Sequence, residues 1–160
     1  MIKAFLSLGS NLGDKELNIK KAIEALQTAK GIDIMMVSNC YETLPEGGGR
    51  NQPFFLNNAV EILTTLTPHE LLEKAQEIES NLGRTNKNDY SPRIIDIDIV
   101  LYGEDIIIEE DLTIPHPLMH ERLFVLEPLY EIAPDAIHPV MGETVEKLLH
   151  QLQNGYGIYN

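Results

Sequence analysis

The chain has 160 residues, of which 43% are hydrophobic, and its formal net charge is −13 at pH 7. This length and composition predict one folded domain over residues 1–160 with a substantial hydrophobic core, and they argue against intrinsic disorder. The negative charge argues against non-specific binding to nucleic acid or to an acidic membrane, because both need a basic surface.

The apolar runs and the cysteine content indicate a cytoplasmic protein. No apolar run approaches the roughly 20 residues that cross a bilayer, and the apolar stretch at the N-terminus is too short for a signal peptide. The one cysteine, Cys40, excludes an internal disulfide and suits a reducing compartment. Because Cys40 lies in a predicted strand, we expect a buried and unreactive thiol.

The first predicted elements are a strand and an amphipathic helix. Residues Lys3–Leu8 predict the strand. Between Ile19 and Leu26, apolar residues recur at the spacing of one helix face. Asn11 or Asp14 can cap this helix, and Gly31 ends it.

Two further strands and a second helix follow. Residues Ile32–Thr43 and Phe54–Leu63 predict the strands, and the glycine-rich stretch Leu44–Pro53 predicts a loop between them. The sequence Thr67–Glu70, "TPHE", is a capping box with proline at the first helical position, and it predicts a helix that ends at Gly83.

A polar loop then leads into a fourth strand, "PRIIDIDIVLYG" (Pro92–Gly103). The order β-α-β-β-α-β is that of the ferredoxin-like fold, so we predict an α+β protein with an antiparallel sheet and two helices on one face. A C-terminal extension follows. It comprises an acidic hairpin-like stretch, a segment rich in proline and histidine, and a short amphipathic helix with Val145, Leu148, Leu149 and Leu152 on its apolar face.

Two carboxylates, Asp96 and Asp98, interrupt the isoleucines of the fourth strand. Alternation predicts that they project together, with Cβ atoms roughly 6.5–7 Å apart. Like charges at this distance repel unless a cation lies between them, and Mg²⁺ is usually held by carboxylates and substrate phosphates. The residues predicted to share the aspartate face are Val100 and Tyr102, and those predicted on the buried face are Ile95, Ile97, Ile99 and Leu101.

Nearby arginines favour a polyphosphate site over a solvated sheet face. An Asp-x-Asp pair alone is more typical of an exposed face paired with a residue such as Arg93. However, Arg84, Arg93 and Arg122 are three of the four arginines in the chain. Carboxylates for a metal together with convergent arginines are suited to binding a polyphosphate.

Other polar residues have a default structural interpretation. Gln76 and Glu79 share one helix face, which by itself is typical of a solvent-exposed surface. His116 and His120 are four apart, but prolines flank His116 and disfavour a helix there, so we favour His116 as a phosphate hydrogen-bond donor over a zinc ligand. The stretch "LGSNLGD" lacks the spacing and the lysine of a P-loop and predicts a turn with a helix cap.

Together these stretches resemble one family, the 6-hydroxymethyl-7,8-dihydropterin pyrophosphokinases of folate biosynthesis. The resemblance runs from Leu6 to Pro134 in the family's order. It implies transfer of the β,γ-pyrophosphoryl group of ATP to the hydroxymethyl oxygen of the pterin, with release of AMP. The matching stretches are "SLGSNLGD", "YETLPEGG…NQPFFLNNAV", "QEIESNLGR", "SPRIIDIDIVLYG" and "LTIPHPLMHERLFVLEPLYEIAP".

The resemblance also implies residue roles. Asp96 and Asp98 match the pair that holds two Mg²⁺ ions, and with Arg84 and Arg93 they would be the catalytic residues. Positions matching contacts to ATP or its phosphates are Gln76, Glu79, Arg84, Arg93, His116 and Arg122. Positions matching the adenine side are Ile99, Leu112 and Thr113. Positions matching the pterin pocket are Thr43, Leu44, Phe55, Asn57 and Phe124, whose two aromatic rings would sandwich the pterin.

Two other functions fit parts of the pattern. A two-metal phosphohydrolase would use Asp96 and Asp98 but would not need the pterin-pocket residues. A ligand-sensing module would not need paired carboxylates beside arginines. We therefore expect a pyrophosphokinase that binds ATP and the pterin alcohol, acts as a monomer, and has neither nucleic-acid nor membrane partners.

Overall fold

A computed structural model describes residues 1–43, 54–83 and 94–157 of the chain. Within these ranges the helices and strands follow the predicted order closely. They are β1 (Ile2–Ser10), α1 (Lys15–Thr28), β2 (Ile32–Val37), β3 (Tyr41–Thr43), β4 (Phe55–Thr64), α2 (Pro68–Asn81), β5 (Asp96–Tyr102), β6 (Ile107–Ile108), β7 (Thr113–Ile114), α3 (Leu123–Ile132) and α4 (Val145–Gly157).

The main sheet has the strand order β2-β4-β1-β5, and β3 also pairs with β4. Every pair in it is antiparallel. With α1 and α2 as the connections, this is the predicted ferredoxin-like arrangement. β6 and β7 form a separate small hairpin, as the acidic stretch predicted. In the described part of the chain, no helix is long and apolar enough to cross a bilayer.

The predicted helix caps are confirmed. The Asp14 side chain accepts a hydrogen bond from the Leu17 N–H at 3.1 Å at the start of α1. Thr67 and Glu70 form the reciprocal capping box of α2, with Pro68 at the first position. Gly31 and Gly83 follow the two helices with positive φ, where a residue with Cβ would be strained.

The predicted strand Ile32–Thr43 is broken in the structure. Ser38 interrupts it, because its hydroxyl accepts a hydrogen bond from the Ala59 N–H at 2.8 Å and displaces the regular ladder. Cys40 therefore lies outside a strand and is exposed, so the prediction of a buried thiol is wrong. Partial burial of the sulfur and the carboxylates of Glu16 and Glu131 raise the pKa of Cys40, which disfavours the reactive thiolate.

Both faces of the sheet carry a hydrophobic core. On the first face, α1 and α2 cover side chains from β1, β4 and β5, as predicted. On the second face, α3 and α4 of the C-terminal extension pack over one end of the same strands, around Phe5, Ala59 and Leu101. The extension is therefore a second helical layer, which the hydrophobic pattern of the strands alone had not indicated.

A β-bulge in β5 changes the predicted faces of two residues. Ile99 pairs with Leu6 and Leu101 pairs with Phe5, so Val100 is an extra residue. Leu101 consequently joins Val100 in the second core, and Tyr102 returns to the first. The predictions for Leu101 and Tyr102 are thus wrong, whereas the isoleucines lie on the first face as predicted.

Candidate active site

A row of paired residues crosses the second sheet face at the end that α3 and α4 leave open, which we call the open end. Asp96 of β5 pairs with Gly9 of β1, Gly9 pairs with Asn57 of β4, and Asn57 pairs with Tyr41 of β3. Paired residues project from the same face, and neighbouring strands lie about 4.8 Å apart. Asp96 and Asn57 are therefore two strand spacings apart, roughly 9–10 Å between backbones.

Gly9 leaves space for two residues of the predicted pterin pocket. A Cβ at this position would lie 3.3 Å from Asn57 Oδ1 and 3.4 Å from Cδ1 of Phe55. Asn57 is buried, and its amide nitrogen lies 3.4 Å from the Thr43 hydroxyl, to which it donates a long hydrogen bond. Thr43 in turn pairs with Phe55 across β3 and β4. The structure thus brings Thr43, Phe55 and Asn57 together on the face that also presents Asp96.

One aromatic and one basic residue of the predicted site lie on the helical layer of the same face. Phe124 is half-buried in the first turn of α3, which packs against β3 and β4. The guanidinium carbon of Arg122, the residue before α3, lies 5.3 Å from the centre of the Phe124 ring, within the range of a cation–π contact. Phe124 and Arg122 therefore stand next to each other at the helical side of this open end.

Tyr41 fixes the strand that carries Thr43. Its hydroxyl donates a 2.7 Å hydrogen bond to the Glu131 carboxylate on α3, and the same carboxylate accepts from the backbone and side-chain N–H groups of Asn39. This hydrogen bond, with partial burial, raises the pKa of Tyr41 to about 12. Because 90 residues separate the two partners in the sequence, the pattern of either segment gave no signal for this contact.

A cleft of about 220 Å³ lies along the outer edge of β5. It runs between α2 and the segment that includes β7. Five residues predicted for the ATP and metal sites line it, namely Asp98, Ile99, Leu112, Thr113 and His116, and the remaining lining residues are Leu72, Ile97, Glu110, Asp111 and Pro117. The structure therefore gathers the predicted adenine-side residues beside one of the two aspartates.

His116 is held against β5 through its backbone. Its N–H donates to the Val100 carbonyl at 3.0 Å. Its Nδ1 accepts from the Leu118 N–H at 3.3 Å, so the neutral ring carries its proton on Nε2. His120 does not join His116 in any cluster of potential metal ligands among the described residues.

Glu79 and Gln76 differ although both lie on α2. Glu79 is 3% exposed, and its Oε2 accepts a hydrogen bond from the Ile97 N–H at 2.7 Å. Gln76 is exposed and lies one turn after Leu72, which lines the cleft. The default of a solvent-exposed face is therefore wrong for Glu79 and right for Gln76.

Asp96 and Asp98 have the chemistry of a divalent-cation site. Both are half-buried, and the aligned strand pairing directs both to the second face. Carboxylate oxygens are the ligands that Mg²⁺ prefers, and the open end beside them leaves room for substrate oxygens and water. Three exposed residues beside the cleft, His69, Glu109 and Asp111, could also offer ligand atoms to a cation, although a His69–Glu109 hydrogen bond of 3.0 Å already explains part of this grouping.

Three predicted site residues lie outside the described ranges. These are Leu44, Arg84 and Arg93. Among described residues, the cleft is lined by the acidic side chains of Asp98, Glu110 and Asp111, on a chain of net charge −13. An anionic ligand in this cleft needs compensating cations, because carboxylates repel phosphate oxygens.

Comparison with known proteins decides the family. The sequence model of the family described as 7,8-dihydro-6-hydroxymethylpterin-pyrophosphokinase (HPPK) matches residues 5–134. The chain belongs to the HPPK family. It is accordingly an enzyme, a pyrophosphokinase of folate biosynthesis, as the sequence predicted.

Two relatives that are named pyrophosphokinases are similar to the chain over most of their own length, and a longer protein of known structure shares the fold. The chain is 45% identical over 152 residues to the 2-amino-4-hydroxy-6-hydroxymethyldihydropteridine pyrophosphokinase of Methylorubrum extorquens, covering 95% of this chain and 94% of that protein. Identity to the enzyme of the same name from Bacillus subtilis is 48% over 129 residues, covering 81% and 77%. The HPPK-DHPS protein of Plasmodium falciparum with pteroate superposes with a TM-score of 0.76 at 17% identity, over 98% of this chain and 46% of that chain, which supports the fold alone.

Proposed function

We propose that the chain transfers the β,γ-pyrophosphoryl group of ATP to the hydroxymethyl oxygen of 6-hydroxymethyl-7,8-dihydropterin and releases AMP. The observation that supports this proposal is the position of the two aspartates between two groups of residues that are suited to binding a substrate. Asp96 shares a cross-strand row with Asn57, and Asp98 lines the cleft with Ile99 and Leu112. A donor and an acceptor substrate bound on these two sides would meet at the aspartates.

The pterin would bind at the open end of the second sheet face. The Asn57 amide offers a donor and an acceptor to the polar edge of a flat heterocycle, while the rings of Phe55 and Phe124 would stack on its faces. Thr43 orients this amide through its hydroxyl. Leu44, which follows Thr43, belongs to the same proposed pocket.

ATP would bind along the edge of β5. In this arrangement Ile99, Leu112 and Thr113 face the adenine side, and the Nε2–H of His116 donates to a phosphate oxygen. Gln76 of α2, one turn after Leu72 of the cleft, would add a further nucleotide contact. Orientation of the triphosphate in line with the acceptor hydroxyl is the main requirement of such a transfer.

Asp96 and Asp98 would hold two Mg²⁺ ions. When bound, the ions would neutralise phosphate charge and favour ionisation of the acceptor hydroxyl. The two side chains supply this site with negative charge and oxygen donors at a fixed spacing on one strand. This role would account for two carboxylates in an otherwise apolar strand.

Arg84, Arg93 and Arg122 would bind the phosphate oxygens. Arginine offers planar, bidentate hydrogen bonding to phosphate and keeps its charge at all relevant pH values. Charge builds on the oxygen that leaves with AMP, and Arg84 and Arg93 would stabilise it there. Arginines with this role change rates by about 10³–10⁵-fold in other phosphoryl-transfer enzymes.

An assay of product identity tests the proposal. ATP, Mg²⁺ and the pterin alcohol are incubated with the protein, and AMP, the pterin diphosphate and inorganic phosphate are separated by ion-exchange chromatography. We expect AMP and the pterin diphosphate in equal amounts, and none when the pterin alcohol or Mg²⁺ is left out. Inorganic phosphate from ATP alone would instead support the phosphohydrolase, and binding of Mg²⁺·ATP without any product would support the ligand-sensing module.

A further inference from the structure

A third carboxylate, which is buried and belongs to α2, contacts β5, the strand that carries Asp96 and Asp98. Glu79 lies on α2, two turns after Leu72, which lines the cleft. Its side chain is 3% exposed, and its Oε2 accepts a 2.7 Å hydrogen bond from the backbone N–H of Ile97. Ile97 is the residue between Asp96 and Asp98.

The position of this N–H explains why it needs a side-chain partner. Among the strands in the described part of the chain, β5 lies at the edge of the main sheet and pairs with β1 alone. In an antiparallel pair, alternate residues direct their backbone groups to the neighbouring strand and the others direct them outward. The Ile97 N–H points outward, toward α2, and burial without a partner would be costly. Farther along the same strand, the His116 N–H bonds to the Val100 carbonyl.

The contact also fixes the geometry of the aspartates. Ile97 is buried, and its side chain is directed into the first core. Its backbone is therefore held by packing on one side and by the Glu79 carboxylate at the edge. Rotation of the peptide groups on either side of Ile97 would redirect Asp96 and Asp98, so holding this N–H limits such rotation.

We propose that Glu79 is a positioning residue of the metal site, acting on Asp96 and Asp98 through the Ile97 N–H. This inference rests on the proposed function only in taking the aspartates as the Mg²⁺ ligands. It differs from the role implied by the family resemblance, in which Glu79 contacts ATP. Partners that orient metal ligands typically change metal affinity or activity by about 10–100-fold when they are removed.

The test compares two substitutions at Glu79 with a control on the same helix. Glu79→Met keeps the length of the side chain and removes the acceptor, whereas Glu79→Gln keeps an acceptor oxygen. Glu77→Met makes the same chemical change at an exposed position of α2. For each full-length variant, calorimetry measures the affinity for the non-reactive analogue α,β-methylene-ATP, once with Mg²⁺ and once with EDTA. The affinity with Mg²⁺ divided by the affinity with EDTA is the Mg²⁺-dependent gain.

We expect Glu79→Met to reduce the Mg²⁺-dependent gain by about 10–100-fold, with the affinity in EDTA unchanged. The Mg²⁺-dependent gain of Glu79→Gln should stay within about threefold of the wild-type value, and that of Glu77→Met should equal the wild-type value. In ¹H–¹⁵N spectra, the Ile97 amide proton should move upfield in Glu79→Met and less in Glu79→Gln, since a short bond to oxygen deshields the proton. If Glu79→Met fails to fold, Glu79→Asp, which withdraws the acceptor by one methylene, replaces it.

Three results would overturn the inference. A lower thermal midpoint with an unchanged Mg²⁺-dependent gain would make Glu79 a purely structural residue. An equal loss of affinity in EDTA would indicate a direct contact to the nucleotide. A wild-type chain with no Mg²⁺-dependent gain would remove the metal site and this inference with it. By contrast, a wild type with the gain but without AMP formation would contradict the proposed function alone.

Discussion

The two faces of the main sheet are built from the same strands but differ in what covers them. On the first face, Leu6, Leu8, Val60 and Ile62 have no exposed surface and lie beneath α1 and α2. On the second face, the part of these strands beneath α3 and α4 contributes apolar side chains to a core, and the open end carries polar ones. Phe5 and Ala59 lie beneath α3 and α4, while Asn57, Asp96 and Asp98 belong to the open end.

This difference shows how one sheet can provide both stability and chemistry. Because side chains alternate along a strand, each core residue on the first face rigidly places its neighbour on the second. Ile97, for example, is buried between Asp96 and Asp98. Rigid support from buried neighbours is what a site needs when small displacements of its ligands reduce activity. If the two regions are divided in this way, changes at the open end should reduce turnover and changes beneath the helices should reduce stability.

The largest expected effect is on turnover, from the open end of the second face. Asp98→Asn keeps the size of the side chain and removes its charge. We expect AMP formation to fall by at least about 10²–10³-fold, the range seen for loss of one group that stabilises a transition state. The urea midpoint should change little, because the residue is half-buried and lies outside both core clusters. A loss of stability in proportion to the loss of turnover would contradict the separation of a stabilising region from a catalytic region.

A large effect on stability is expected where the second face is covered. Leu126 of α3 is fully buried in the second core, and Leu71 of α2 is fully buried in the first. Substitution of either by alanine should lower the free energy of unfolding by about 2–5 kcal/mol. Urea denaturation followed by circular dichroism measures both. If Leu126→Ala cost much less than Leu71→Ala, the C-terminal extension would be a loosely attached layer and not a second core.

An intermediate effect is expected from filling the space above Gly9. A methyl group there would lie 3.3 Å from Asn57 Oδ1 and 3.4 Å from the Phe55 ring, so both must shift by a few tenths of an ångström. Since a displacement of 1 Å can cost about 10²-fold, we expect Gly9→Ala to raise KM for the pterin about tenfold. KM for ATP should stay constant and serves as the internal control. Equal changes in both constants would show that the two binding regions are not separate.

The smallest effect concerns the pH dependence of the C-terminal layer. His138 is 6% exposed, and its Nδ1 accepts from the N–H groups of Val140 and Met141. Burial, and then the nearby His120, lower the pKa of His138 below its ordinary value of 6.5. The folded chain therefore binds this proton less readily than the unfolded chain. The stabilisation is complete above about pH 6.5 and is lost as the pH falls through the lowered pKa.

Urea midpoints between pH 7.5 and pH 5 measure this contribution. His138→Asn is the matched variant, because its Oδ1 can accept the same two hydrogen bonds without titrating. The free energy of unfolding of the wild type should fall more steeply on acidification, by at most about 1.4 kcal/mol per pH unit for one proton. Identical slopes for the two proteins would rule out His138 as the group responsible.

Much of the fold could be predicted because its signals are local. The capping box at Thr67 and the cap at Asp14 specify helix starts within four residues, and apolar spacing specifies the buried helix faces. Alternation around Asp96 and Asp98 likewise placed both aspartates on the face opposite the isoleucines. The predicted residues Asp98, Ile99, Leu112, Thr113 and His116 were then found along one cleft.

The departures from prediction arise where distant segments meet. The break at Ser38 depends on a hydrogen bond from Ala59, and the bulge at Val100 depends on the pairing of β5 with β1. Glu79 resembled a surface residue because the Ile97 N–H that it caps is 18 residues away. Periodicity within one segment carries no information on such partners.

The amino-acid sequence alone specifies where helices begin and which strand faces are apolar, since both depend on residues close together in the chain. It also specifies which chemical groups are available. How the faces are used is settled by contacts between segments far apart in the chain. Packing of α3 closes one end of the second face and leaves the other open, and the edge position of β5 exposes an N–H that Glu79 covers. Such contacts depend on backbone geometry in three dimensions, because a hydrogen bond or a packed side chain is set by distance in space and not by distance along the chain.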